Sequence, residues 1–243
     1  MVNIEAVLFD LGNTLIYFNG EWPVVLAGAR QAALEALRRV GLHVARAPFL
    51  SRFQATLENN YTRRADDLIE RNTARLLRDV LDELGHCDVP EHWIDAARYA
   101  FYAVTQNHWW PEVDALPTLK TLHEQGYRMG ILSNAADDWD VQTLVDKAQV
   151  RPYMDFVLSS AALGQRKPSP AVFRAALAQW GISPARVAMV GDTLNADILG
   201  ANHAGMCSVW ITRRVNMAPE QENIHPQKMI HTLDELPLLL PTL

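Results

Sequence analysis

Five short apolar runs, "AVLFDL", "MGILSN", "FVLSS", "VAMVGD" and "CSVWIT", punctuate the chain, each stopped by turn-forming or polar residues. Short runs that are apolar on consecutive residues read as strands buried on both faces, the condition of a parallel sheet covered by helices. Helical patterns stand between them. Leu116, Leu119 and Leu122 precede the second run, and Val172, Phe173, Ala176, Leu177 and Trp180 precede the fourth. Strand and helix therefore alternate, which predicts an α/β fold built on a parallel sheet. A chain of 243 residues, at roughly 100–200 residues per domain, has room for that sheet and a smaller companion.

The interval between the first and second runs is far longer than the dozen or so residues a single crossover needs. Its apolar residues recur at helical spacing in four groups: Leu26, Ala29, Ala33, Leu37 and Val40; Phe49, Phe53, Leu57 and Tyr61; Leu76, Leu77, Val80, Leu81 and Leu84; and Trp93, Ala97, Ala100, Phe101 and Val104. The pattern predicts an inserted four-helix bundle. After the last run, "RRVNMAPEQENIHPQ" is polar and contains proline, which reads as an exposed loop. The closing "LDELPLLLPTL" is apolar but short and broken by Pro237 and Pro241, which predicts a terminal helix packed on the core.

Composition excludes several classes. Hydrophobic residues at 49% and charged residues at 21% are those of a folded globular chain. A formal net charge of −6 argues against nucleic-acid binding driven by phosphate contacts, which needs clustered Lys and Arg. Cys87 and Cys207 have neither CxxC spacing nor histidines at zinc-finger distances, so neither a disulfide framework nor a zinc site is expected. The N-terminal "MVNIEAVLFD" lacks a basic region followed by a long apolar stretch, and no segment approaches the roughly 18 apolar residues of a membrane span. The expected setting is the cytoplasm, with a small molecule as partner and no membrane or nucleic acid.

In an open parallel sheet, ligands bind beyond the carboxyl ends of the strands. The residues there form a pattern: Asp10 after the first run, Ser133 and Asn134 after the second, and Gly191-Asp192 followed by Asp197 after the fourth, while Lys167 precedes a helix start. Each piece alone has a local structural reading. "FDLGNT" is compatible with a strand ending in a turn, Ser133 and Asn134 with turn or capping residues, and "KPSPAVF" with Ser169 as N-cap and Pro170 at the first helical position.

Their order and the position of the insert carry a resemblance. The chain resembles the haloacid dehalogenase superfamily of hydrolases, in its helical-capped (C1-type), phosphatase-like branch: motif one at "DLGNT", motif two at Ser133, motif three at Lys167, motif four at "GDTLNAD", followed by "GANHAGM". The resemblance implies a Rossmann-like parallel-sheet core over residues 1–16 and 111–243, with an α-helical cap domain inserted at 17–110. It implies Asp10 as the nucleophile that becomes an aspartyl-phosphate. It makes Ser133, Asn134 and Lys167 the phosphate-binding groups, with Ser133 and Lys167 also counted catalytic. Mg²⁺ is the implied cofactor, held by Asp10, Asp192 and the backbone carbonyl of Gly12, with Asp197 organising the metal's waters or the lysine. The chemistry agrees: a carboxylate nucleophile meeting a phosphate dianion needs compensating positive charge, and a hard cation accepts oxygen ligands.

One position departs from the pattern. The family's phosphatases usually carry a second Asp two residues after the nucleophile, as general acid and then base; here it is Gly12. Glycine keeps the carbonyl for a metal but loses the proton donor. General acid–base catalysis typically contributes ~10²–10⁴-fold, so good leaving groups are expected: anomeric sugar 1-phosphates, acyl phosphates or aryl phosphates. Tyr17 and His43 are positional candidates for a substitute donor. Tyr17, Phe18 and Trp22 on one side of the insert and Trp109-Trp110 on the other are candidates for substrate contact, as are Arg63 and Arg64 for a second anionic group. Two alternatives accompany the phosphatase reading. One is a metal-free 2-haloacid dehalogenase, whose family relatives usually have Ser-Asn where this chain has Gly191-Asp192. The other is a non-catalytic protein that keeps the fold for binding or regulation.

Overall fold

The computed structural model describes residues 3–215 and 223–243. In chain order, β1 (Ala6–Phe9) and β2 (Ile16–Phe18) lead into four helices, α1 (Trp22–Arg39), α2 (Arg46–Asp67), α3 (Thr73–Glu83) and α4 (Glu91–Gln106). There follow β3 (Trp109–Pro111), α5 (Ala115–Glu124), β4 (Arg128–Ser133), α6 (Asp138–Lys147), β5 (Phe156–Ser159), α7 (Ser160–Leu163) and α8 (Pro170–Trp180). The chain ends with β6 (Val187–Gly191), a π-helical turn at Leu194–Ile198, α9 (Leu199–Ala204), β7 (Cys207–Ile211), β8 (Lys228–Ile230) and α10 (Leu236–Leu239). Two compact units result, residues 1–18 with 110–243 and residues 19–109.

The first unit is a six-stranded sheet in the order β5-β4-β1-β6-β7-β8, every neighbouring pair parallel. It is the α/β parallel-sheet core expected from the alternation of apolar runs, Rossmann-like as the family resemblance implies. The central strands β1, β6 and β7 are buried throughout, and β4 from its second residue on, as two-sided cover requires. β5 differs: its first three residues are only half-buried, because it is the edge strand and has a neighbour on one side alone. The ring of Phe156 lies across Gly130 of β4, where a Cβ would stand 2.5 Å from the ring, so any larger residue at that strand position must displace the ring.

Two sequence expectations are corrected in this unit. The sheet gains β8 from "KMI", too short a run to register as a strand by itself, which pairs with β7 at Trp210↔Met229 and Ile211↔Ile230. The C-terminal stretch is not one helix but a 3₁₀ turn (Leu233–Glu235), the single-turn α10 and a second 3₁₀ turn (Leu240–Thr242); it still buries Leu233, Leu236 and Leu240. Of the loop read as exposed at 213–227, residues 216–222 lie outside the described residues. Its start is not free surface: Arg213 is half-buried and held by Glu112 (2.7 Å) and Asp114 (3.0 Å).

The second unit is the four helices α1 to α4. Their inward faces share one cluster that includes Ala29, Leu37, Phe49, Phe53, Leu81 and Phe101. Phe53 bridges Phe49 and Phe101 with ring centroids 5.6 Å apart on each side, the tilted geometry aromatic pairs favour. The helical stripe of α2 ends earlier than its sequence pattern suggests: Tyr61 is exposed, with the Arg64 guanidinium over its ring at 4.1 Å. In α4 the buried position is Ile94, while Trp93 is only half-buried. Among the described residues no helix is long and apolar enough to cross a membrane. Cys87 is exposed and Cys207 buried, both free.

Candidate active site

Strand order explains why so many polar residues meet. β1 lies between β4 and β6, so Asp10 at its carboxyl end is flanked by the ends that carry Ser133 and Asp192. The Asp10 N–H still donates to Val190 O at 2.9 Å, extending the ladder one residue and fixing the direction in which its side chain leaves the sheet. Beyond it the chain turns tightly. The Leu11 carbonyl accepts from the N–H groups of Thr14, Leu15 and Ile16, Asn13 adopts φ 56°, and Gly12 bridges to Ile16. Asn tolerates that left-handed conformation better than most residues.

Lys167 is the hub. Its ammonium is buried, and lies 2.6 Å from Asp10 Oδ1, 2.7 Å from Asp197 Oδ1 and 2.7 Å from the carbonyl of Leu132. Burial works against its charge, but the two carboxylates outweigh that, so its pKa is raised. Asn134 holds the lysine from behind: its Oδ1 accepts from Lys167 N–H at 2.8 Å and its Nδ2 donates to Lys167 C=O at 3.1 Å. The side-chain amide of Asn134 is thereby engaged with the lysine backbone. Ser133 is buried at the end of β4, in register with Ser159 of β5. The helix that follows Lys167 begins as its sequence predicts, with Ser169 accepting from Ala171 N–H as N-cap and Pro170 in the first turn.

The acidic segment after β6 is shaped by close approach. The Asp197 carboxyl packs on Gly191 so tightly that a Cβ there would lie 2.3 Å from its Cγ. Asp197 Oδ2 accepts from Thr193 N–H at 3.0 Å while Oδ1 faces Lys167, so this carboxylate ties the segment to the lysine. Asp192 is held by residues that sequence reasoning missed. Thr193 Oγ1 donates to its Oδ1 at 3.2 Å, Asn13 Nδ2 to its Oδ2 at 3.5 Å, and the indole N–H of Trp210 to its main-chain carbonyl at 2.8 Å. Asn13 and Thr193 adjoin the motifs and were findable there; Trp210 is brought in by the β6–β7 pairing.

Ligand oxygens of Asp10, Asp192 and Asp197 lie within 4.8 Å of one another. Burial, then the neighbouring acids, push Asp10 up to about 7 despite Lys167, and burial with Asp197 pushes Asp192 up to about 6. Three carboxylates and one ammonium leave an excess of negative charge in a dry place, with oxygen donors only. That is the donor set a hard divalent cation takes.

The other candidates named from sequence have their own local surroundings. Tyr17 lies in β2 with the Arg214 guanidinium over its ring at 3.9 Å, and Arg214 is itself held by Glu112. Phe18 is half-buried, and Trp110 is exposed, with Lys147 Nζ 5.4 Å from its ring centroid. In the helical unit, His43 is exposed between α1 and α2, Arg63 is exposed and Arg64 covers Tyr61. Trp22 and Trp109 meet edge to face with centroids 6.0 Å apart.

Comparison with known proteins agrees with this architecture. Among solved structures, a 2-haloacid dehalogenase from Pseudomonas syringae pv. Tomato DC3000 superposes with a TM-score of 0.69 at 24% identity, covering 98% of each chain. A HAD phosphatase from Thermococcus onnurineus does so with a TM-score of 0.64 at 23% identity, again over 98% of each. At these identities they speak to the fold. By sequence, the chain is 32% identical over 162 residues to a phosphoserine phosphatase of Thermus thermophilus, spanning 67% of this chain and 62% of that relative. It is 30% identical over 226 residues to a glyceraldehyde 3-phosphate phosphatase of Methanopyrus kandleri, spanning 86% of this chain and 84% of that one. The family model for haloacid dehalogenase-like hydrolases matches residues 4–205. A range that runs from the start of β1 through the acidic segment and α9 takes in every residue gathered around Lys167, and the chain belongs to the haloacid dehalogenase-like hydrolase family.

Proposed function

We propose that the protein is a Mg²⁺-dependent phosphatase that hydrolyses a small phosphorylated metabolite through an aspartyl-phosphate on Asp10. The observation that carries this reading is the placement of Asp10 against Lys167 at 2.6 Å with Asp192 and Asp197 beside it, an arrangement in which carboxylates outnumber the cation. The phosphatase names of its relatives support the same reaction class.

Asp10, Asp192 and the Gly12 carbonyl would hold Mg²⁺, which would supply the positive charge that lets a carboxylate approach a phosphate dianion. The chain's own groups do the rest. Lys167 holds the Asp10 carboxylate in one orientation and offsets phosphoryl charge, Asn134 fixes the backbone that carries Lys167, and the Ser133 hydroxyl donates to a phosphoryl oxygen. Asp197 acts through Lys167 and Thr193, not on the substrate. In the first step a carboxylate oxygen of Asp10 forms a bond to phosphorus as the bond to the leaving oxygen breaks. In the second, water attacks phosphorus, the bond to Asp10 breaks, and phosphate departs with the carboxylate restored. Gly12 has no proton to give the leaving oxygen, which favours substrates whose leaving group is already a weak base. The helical insertion, residues 17–110, serves as the cap that selects the substrate and limits water.

The test is phosphate release, with and without Mg²⁺, from acetyl phosphate, p-nitrophenyl phosphate, hexose 1- and 6-phosphates, phosphoserine and glyceraldehyde 3-phosphate, with Asp10→Asn as control. The expected result is metal-dependent release weighted towards the better leaving groups and abolished in Asp10→Asn. Release that survives the substitution, or halide release from a 2-haloacid with none from any phosphate, would overturn the proposal.

A further inference from the structure

We propose that Trp210 is a positioning residue for the acidic segment, setting the affinity of Asp192 for a divalent cation; the inference rests on the metal-dependent reading above. Asp192 is the first residue past β6, where its main-chain carbonyl has left the strand and needs another partner. Trp210 lies opposite Gly191 in the β6–β7 register, and its indole N–H, a donor only, reaches that carbonyl at 2.8 Å. The same ring is 5% exposed and packs against Leu194 and Ile198, the first and last residues of the π-helical turn that carries Asp197. One side chain from the adjacent strand thus fixes the backbone before the turn and the apolar residues at both its ends.

The carboxylate of Asp192 is otherwise held loosely. Among the described residues it accepts from Thr193 Oγ1 at 3.2 Å and Asn13 Nδ2 at 3.5 Å, both long for charge-assisted hydrogen bonds. Its aim therefore depends on a fixed main chain, and the indole of Trp210 holds that main chain from outside the segment. Groups that orient a metal ligand typically change metal affinity by about 10–100-fold when removed.

The experiment uses the full chain, stripped of metal, with Mg²⁺ binding measured by titration calorimetry and melting temperature followed in EDTA. Trp210→Phe keeps the aromatic packing and removes the N–H. The expected result is a dissociation constant for Mg²⁺ raised by about tenfold, with the Mg²⁺ concentration for half-maximal phosphate release rising in parallel and kcat recovered at saturating Mg²⁺. Trp139→Phe, on the exposed side of α6, should change none of these. Ile198→Val loosens the ring's seat without touching the N–H; it should weaken Mg²⁺ by a smaller factor and carries the test if Trp210→Phe fails to fold. A lowered melting temperature with an unchanged dissociation constant would make Trp210 merely structural and overturn the inference while leaving the metal reading intact. A wild-type protein that binds no Mg²⁺ would overturn both.

Discussion

Gly12 and Asp10 show how much one residue changes at this site. The turn that follows Asp10 is closed by the Leu11 carbonyl and by Asn13 in a left-handed conformation, while Gly12 is not at positive φ, so an L side chain suits the backbone there. Gly12→Asp should therefore restore a proton donor with little change in the turn. The expected outcome is a rise in kcat on alkyl phosphates of about 10²-fold, the low end of general acid catalysis, and a much smaller rise on acetyl phosphate, whose leaving group needs little protonation. Steady-state rates on hexose 6-phosphate and acetyl phosphate check this; equal rises on both would count against the leaving-group argument. Gly12 itself was plain in the sequence. The contacts of Asn134 were not, because its partner Lys167 is 33 residues away and meets it only through the packing of the loop before α8 against the end of β4.

At the scale of the element, the segment from β6 to α9 decides where the acids point. The π-helical turn sets Asp197 over Gly191, and the glycine is required by approach, not by backbone angle. Gly191→Ala would put a Cβ 2.3 Å from the Asp197 Cγ, so Asp197 must move and release Thr193 N–H and Lys167. Displacements of this order in a catalytic constellation cost about 10²-fold in rate, and the overpacking costs about 1–3 kcal/mol of stability. Phosphate release and a denaturant midpoint measured on the same preparation check both expectations; an active, fully stable variant would contradict the geometry. The sequence gives "VGDTLNAD" as a strand running into a helix, which is right as far as it goes. The π-helical turn has no local signal in the sequence; its first and last residues, Leu194 and Ile198, pack with Trp210 from the neighbouring strand.

For the whole molecule, burying this cluster links stability to pH. Asp10 and Asp192 ionise near pH 3.8 in the unfolded chain and near about 7 and about 6 when folded without metal. Between those limits the folded state binds more protons, so the stability these groups contribute is full below their unfolded pKa and is lost as pH rises through the folded values. In EDTA the melting temperature should therefore fall from about pH 4 to about pH 7 more steeply for the wild type than for Asp10→Asn. The stabilisation gained from added Mg²⁺ should grow over the same range, because metal and protons compete for the carboxylates. Thermal melts at a series of pH values, with and without Mg²⁺, decide the matter; parallel pH profiles for wild type and Asp10→Asn would refute the linkage.

The sequence by itself determined the five principal strands, the four inserted helices, the helix start at Ser169-Pro170 and the residues brought to the strand ends, because apolar period, turn residues and caps act over a few neighbours. Tertiary structure alone decided the strand order that sets β1 between β4 and β6, the sixth strand, and the ion pairs of Arg213 and Arg214 with Glu112, about a hundred residues away. It also decided which partner each polar group takes: Asn134 for Lys167, Thr193 for Asp197, Trp210 for Asp192. Local patterning fixes what a segment becomes, since backbone hydrogen bonds and side-chain period are short-range. Where its polar atoms point depends on what the finished sheet brings within about 3 Å, the reach of a hydrogen bond.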